Sequence, residues 1–62
     1  MYKTAIYVDL NGGGPITQDV LIHDYYILKK AGYTDGKTLD EYLQDIYNDT
    51  KRGQNELEII SE

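Results

Sequence analysis

Residues 38–53 constrain this chain more than any other stretch. Leu39, Tyr42, Leu43, Ile46 and Tyr47 recur at intervals of three and four, the apolar stripe of an amphipathic helix. Thr38 stands as the N-cap and Glu41 follows three residues later, so the two read as a capping box. Asp40 and Glu41 fall in the first turn, where the helix dipole favours anions. Lys51 and Arg52 fall in the last, where it favours cations. Gly53 is the residue expected just past the C-terminal end. Every local signal agrees on one helix, and the other segments can be placed around it.

Residues 2–10 alternate. Tyr2, Thr4, Ile6, Val8 and Leu10 lie on one side, and Lys3, Ala5, Tyr7 and Asp9 on the other, the pattern of a half-buried strand. Residues 11–15, Asn-Gly-Gly-Gly-Pro, form a turn: consecutive glycines order at high entropic cost and Pro15 blocks a strand ladder. A helix over 18–31, capped by Thr17, is expected next. It turns Val20, Leu21, Tyr25, Leu28 and Ala31 inward, with Asp24 an awkward member of that face. Alternatively residues 16–22 pair with the first strand as a hairpin, favoured by the run Val20-Leu21-Ile22, and Asp24 caps a shorter helix. Lys29, Lys30 and Gly32 mark the helix end under either version. Asp35-Gly36 is a turn dipeptide that makes the two helices antiparallel neighbours. In residues 56–61, Leu57, Ile59 and Ser61 alternate with Glu56, Glu58 and Ile60, a second strand paired most simply with the first. The expected fold class is α+β: one compact domain over residues 1–62, strand–helix–helix–strand, with two helices on one face of a small sheet. The alternative is a β-hairpin followed by two helices and a last strand.

A chain of 62 residues buries only about 60% of its unfolded surface. It has no cysteine, so neither a disulfide nor a thiolate metal site supports the core. A deep substrate pocket would consume much of so small a core, and no enzyme activity is expected. Eleven acidic residues against six basic ones give a net charge of −5. Direct binding of nucleic acid or an anionic membrane surface is disfavoured, since both need Lys/Arg clusters. No apolar run reaches the length of a membrane span, and with no secretory leader in view a cytoplasmic location is expected. Tyrosine is the only aromatic residue type, present seven times. So many exceed what this core can enclose, and two or three are expected at the surface, where tyrosine favours interfaces.

Specific chemistry finds little footing. The glycine run lacks the Gly-Lys-Ser/Thr of a phosphate-binding loop. A calcium loop begun at Asp9 would place Asn11, Gly13 and Gly14 suitably but put Val20 where a bidentate Glu is required. His23 is the sole histidine, which leaves zinc without ligands, and Ser61, the sole serine, adjoins the chain end. Asn48-Asp49-Thr50 fits a glycosylation sequon, which carries weight only in a secreted chain. No catalytic residue, cofactor or metal is expected.

One arrangement stands out. Glu41, Asp45 and Asp49 follow at i, i+4 and i+8 with no cation between them on their row. Like charges at that spacing cost a helix about 0.2–0.5 kcal/mol per pair. The row, with Tyr47 and with Glu56 and Glu58 of the last strand extending it, is the expected surface for a basic protein partner. In size, acidity and tyrosine content the chain resembles small phage-borne proteins that disable host nucleic-acid enzymes: uracil-DNA glycosylase inhibitors, antirestriction proteins and anti-CRISPR proteins. Ile22-His23-Asp24-Tyr25 is similar to a segment of the antirestriction group. The resemblance implies an inhibitor whose carboxylates occupy a basic nucleic-acid groove. The alternative expectation is a non-inhibitory interaction module or small homodimer that uses exposed tyrosines and a free sheet edge, its acids serving solubility alone.

Overall fold

The computed structural model describes residues 4–62. Two helices pack on one face of a three-stranded antiparallel sheet, an α+β fold. In chain order the elements are β1 (Ile6–Asp9), β2 (Pro15–Ile16), α1 (Gln18–Lys30), α2 (Leu39–Arg52) and β3 (Leu57–Ser61). The sheet runs β2-β1-β3, so the first and last long strands are neighbours as expected. The expected strand began at Tyr2; Tyr2 and Lys3 lie outside the described residues.

Elements of both sequence readings coexist between residues 15 and 30. A hairpin does form, but only Pro15 and Ile16 join it, opposite Val8 and Tyr7. Pro15 donates no hydrogen bond and is tolerated on an edge strand. The long helix then starts at once from Thr17, which takes the extended backbone of an N-cap without a side-chain bond. Val20-Leu21-Ile22 is helical despite its β-branched residues, because Leu21 and Tyr25, four apart, bury side by side. Val20, Asp24 and Ala31, placed inward by the sequence reading, are all exposed. α1 ends in a Schellman motif: the Gly32 N–H donates to Lys29 and the Tyr33 N–H to Leu28, with Gly32 at φ 83°.

The core lies between Ala5 and Tyr7 of the first strand segment and Leu21 and Leu43 of the helices, all nearly inaccessible. Ile16 and Ile59 sit across from Tyr7, so all three strands face the helices with one side of the pleat. Small Ala5 beside large Tyr7 lets the helices approach while the phenol ring fills the gap. The richer apolar set, Ile6 and Val8, is therefore on the far face. β3 carries a bulge: Tyr7 opposes Ile59 and Ile6 opposes Ser61, leaving Ile60 unpaired and exposed.

Polar bonds tie the elements together at their ends. Tyr25, buried between the helices, donates its hydroxyl to the Lys37 carbonyl at 2.6 Å, and its ring lies 5.3 Å from that of Tyr42. The buried Thr50 hydroxyl donates to the Ile46 carbonyl and accepts from the Asn55 amide, whose oxygen in turn accepts from the Leu57 N–H. This relay fixes the entry of β3 from the end of α2. Among the described residues, both amide atoms of Gln18 are buried without a hydrogen-bond partner, an arrangement that costs about 1–3 kcal/mol per stranded group. Gln18→Met keeps the shape and removes the polar atoms. Urea unfolding is expected to show it more stable than the parent by about 1 kcal/mol; a lower midpoint would mean that the amide does have a partner in solution.

Candidate acidic binding face

α2 begins as its sequence requires. The Glu41 N–H donates to the Thr38 hydroxyl at 3.2 Å, and the Thr38 N–H donates to Glu41 Oε1 at 2.9 Å. The helix closes with Gly53 at φ 69°, the Gly53 and Gln54 N–H groups bonding to Thr50 and Asp49 carbonyls. Leu43 and Thr50 mark the buried side. Glu41, Asp45 and Asp49 therefore share a solvent-facing side of one rigid helix, as their spacing demands.

Each of the three nevertheless has a partner within the chain. Glu41 is held in the capping box. Asp45 lies 2.7 Å from the Lys37 ammonium, and Asp49 3.8 Å from the Arg52 guanidinium. Lys37 precedes the helix and reaches it only because the Asp35-Gly36 turn folds the chain back. Both turn residues have positive φ, 52° and 76°, and the Lys37 N–H closes the turn onto Thr34. Compensation is partial. The Lys37 ammonium is held above its ordinary range first by the hydrogen bond and charge of Asp45, with further contributions from Glu41 and Asp35. Lys29 borders the same hollow as Lys37 on the other side of the turn. Asp40, Glu41, Gln44 and Asp45 line an open depression of about 280 Å³ beside the Lys37 ammonium. On the α1 side, Asp24 is close enough to Tyr42 to help raise that phenol, although burial contributes more.

The other expected site residues are elsewhere. Tyr47 turns toward the end of β3: its hydroxyl donates to Glu62 at 2.6 Å, which raises the phenol, and the Lys51 ammonium lies 5.8 Å from its ring. Glu56 sits at the hairpin loop, where its carboxylate accepts from the Asn11 amide. That loop is organised by Asp9, which accepts from the Asn11 N–H and approaches Gly13 so closely that a Cβ there would clash. Glu58 opposes Val8 and points to the sheet face away from the helices. The structure brings Glu41, Asp45 and Asp49 together and leaves Tyr47, Glu56 and Glu58 apart from them. Asp35 and Asp40 complete the cluster. The signal for Asp35 was its turn, which returns it to the helix start; Asp40 adjoins Glu41 in the first turn.

Chemically, the face is a set of solvent-facing carboxylates. Its carboxylates are exposed, whereas acid–base catalysis needs surroundings that drive two pKa values apart. Among the described residues, no group of three or more His, Cys, Asp or Glu is arranged to hold a metal ion. No helix among them is long and apolar enough to cross a membrane. Tyr26 and Tyr33 are the two tyrosines well exposed among the described residues.

The hydrogen bond from the Thr38 N–H, with the Thr38 side chain adding to it, holds the Glu41 carboxyl below the ordinary glutamate range. A folded-state value below the unfolded one supplies stability above the unfolded value and withdraws it as pH falls through the folded one. Glu41→Gln can keep the box but cannot titrate. In urea unfolding from about pH 7 to about pH 3, the variant is expected to lose less stability on acidification than the parent. Parallel pH profiles would contradict the assignment.

No protein-family model matches the chain, and neither a curated protein nor a solved structure does.

Proposed function

We propose that this protein is a small acidic binding protein, not an enzyme, that docks the exposed face of α2 on a basic surface of a nucleic-acid-binding protein. By occupying that surface it inhibits the enzyme or complex that owns it, in the manner of a phage-type anti-defence protein working in the cytoplasm. The observation that carries the reading is the acidic surface where α2 begins: Asp40, Glu41 and Asp45 line one open depression, and of these Asp45 is the one paired with a cation, Lys37, among the described residues. A basic partner relieves that surplus. The net charge of −5 adds long-range attraction, which speeds encounter and is weakened by salt.

Spacing limits the form of the mimicry. Acids four residues apart on a helix are about 6 Å apart along its axis, whereas duplex DNA carries a charge every 1.7 Å or so. The row is too sparse to copy a duplex. It suits a groove that takes one strand, or one in which a few carboxylates displace a few phosphates.

The test is affinity capture from a cell extract on the immobilised protein, with a salt gradient and with added DNA as competitor. The expected catch is nucleic-acid-binding proteins that leave at moderate salt and are displaced by DNA. Glu41→Lys, Asp45→Lys and Asp49→Lys together should lose them while the circular dichroism spectrum stays native. Asp40→Lys with Asp45→Lys leaves the capping box intact and serves if the triple variant unfolds. Retention of the same proteins by a folded reversed variant would refute the mechanism.

A further inference from the structure

α1 is apolar on two sides. Leu21 and Tyr25 enter the core, yet Val20 and Ile27 remain 43% and 53% exposed about 120° further round the helix. Val20, Ile27 and the C-cap Ala31 stand at i, i+7 and i+11, so they form one outward stripe along a helix of 13 residues, about 20 Å long. Among the described residues, neither Val20 nor Ile27 is packed against the core cluster, and the stripe lies on a different helix from the acidic face.

The charges beside the stripe indicate what covers it. Asp19 in the first turn and Lys30 in the last are also eleven residues apart, so they share one flank of the stripe. His23 lies between them on that flank. Among the described residues neither Asp19 nor Lys30 makes an ion pair. When two copies of one helix pair antiparallel about a two-fold axis, like flanks meet with their ends exchanged. Asp19 of each copy then faces Lys30 of the other, twice over, while Val20 packs near Ala31 of the other copy and the two Ile27 side chains lie near the centre. The helix dipoles also oppose. On the other flank Asp24 meets its own counterpart, the one unfavourable contact.

We propose that the outward stripe of α1 is a self-association surface on which a second copy of this chain docks antiparallel. A standard interface buries about 800 Å² per partner, about a fifth of the 4351 Å² this chain exposes. One helix face supplies less, so the dimer is weak, with micromolar dissociation. Two chains of charge −5 repel at long range, and salt screens that repulsion. Salt relieves this repulsion while weakening the Asp19–Lys30 pairs, so the dimer depends on salt far less than binding at the α2 face does, and failure of either proposal is distinguishable from failure of the other.

Sedimentation equilibrium of the whole chain over a concentration series tests it. A monomer–dimer equilibrium is expected in the micromolar range, weakened about tenfold or more by Ile27→Glu and tightened by Asp24→Asn. Asp19→Lys and Lys30→Asp should each be monomeric alone, because each places like charges across both contacts. Mixed in equal amounts they should form a heterodimer, since every contact is then complementary. That outcome also shows that both variants are folded. A wild-type chain that stays monomeric throughout, a dimer indifferent to Ile27→Glu, or folded single variants that remain monomeric on mixing would each overturn the proposal.

Discussion

The structure turns on a short node at the start of α2. Thr38 and Glu41 exchange hydrogen bonds and so decide where the helix begins. The residue before the cap, Lys37, offers its carbonyl to the buried Tyr25 hydroxyl and its ammonium to Asp45. The residue after it, Leu39, packs on the core. Five consecutive residues thus join α1, the interhelical turn, the core and the acidic face. The Asp35-Gly36 turn makes this geometry reachable, because positive φ at both residues reverses the chain in the least length. In a core with so few fully buried side chains, such end-to-end bonds carry more of the specification than they would in a larger domain.

On the function proposed above, the acidic face has two kinds of work. Glu41 is needed to cap the helix, and Asp45 and Asp49 have cations within 4 Å. Exposed pairs of this kind are screened by solvent and add little to stability. They also leave the carboxylates open to a stronger competitor. A basic partner need not create the charge arrangement; it needs only to outbid Lys37 and Arg52 for it. Other surfaces differ in kind. α1 exposes Val20 and Ile27 beside charged residues, and the far side of the sheet mixes Ile6, Val8 and Ile60 with Glu58.

Local rules were enough to read α2 completely, because capping, dipole and periodicity act within a few residues. The C-terminal end of α1 was legible for the same reason, and the pairing of β3 with β1 because two alternating segments most simply pair with each other. What sequence could not resolve were choices made by packing. Which side of β1 faces inward was set by the fit of Ala5 and Tyr7 under the helices, against the greater apolar content of Ile6 and Val8. The rotation of α1 was set by Leu21 and Tyr25, which sent Val20 and Ala31 outward. The two-residue strand β2 was too short to show a pattern. At the site, the helical row was legible, but the reach of Lys37 to Asp45 depended on a turn, and Glu58 was separated from the row by its place in the pleat. The Thr50–Asn55 relay left no mark in periodicity at all.

The central claim is that negative charge outnumbers positive charge around Lys37 in the folded chain. The most direct measurement is the urea midpoint as NaCl rises from about 10 mM to about 500 mM, for the parent chain and for Lys37→Met. The account predicts that salt stabilises both, and stabilises Lys37→Met more, because removing the cation leaves more repulsion to screen. A midpoint that falls with salt in the parent chain, or a salt response that Lys37→Met leaves unaltered, would contradict it.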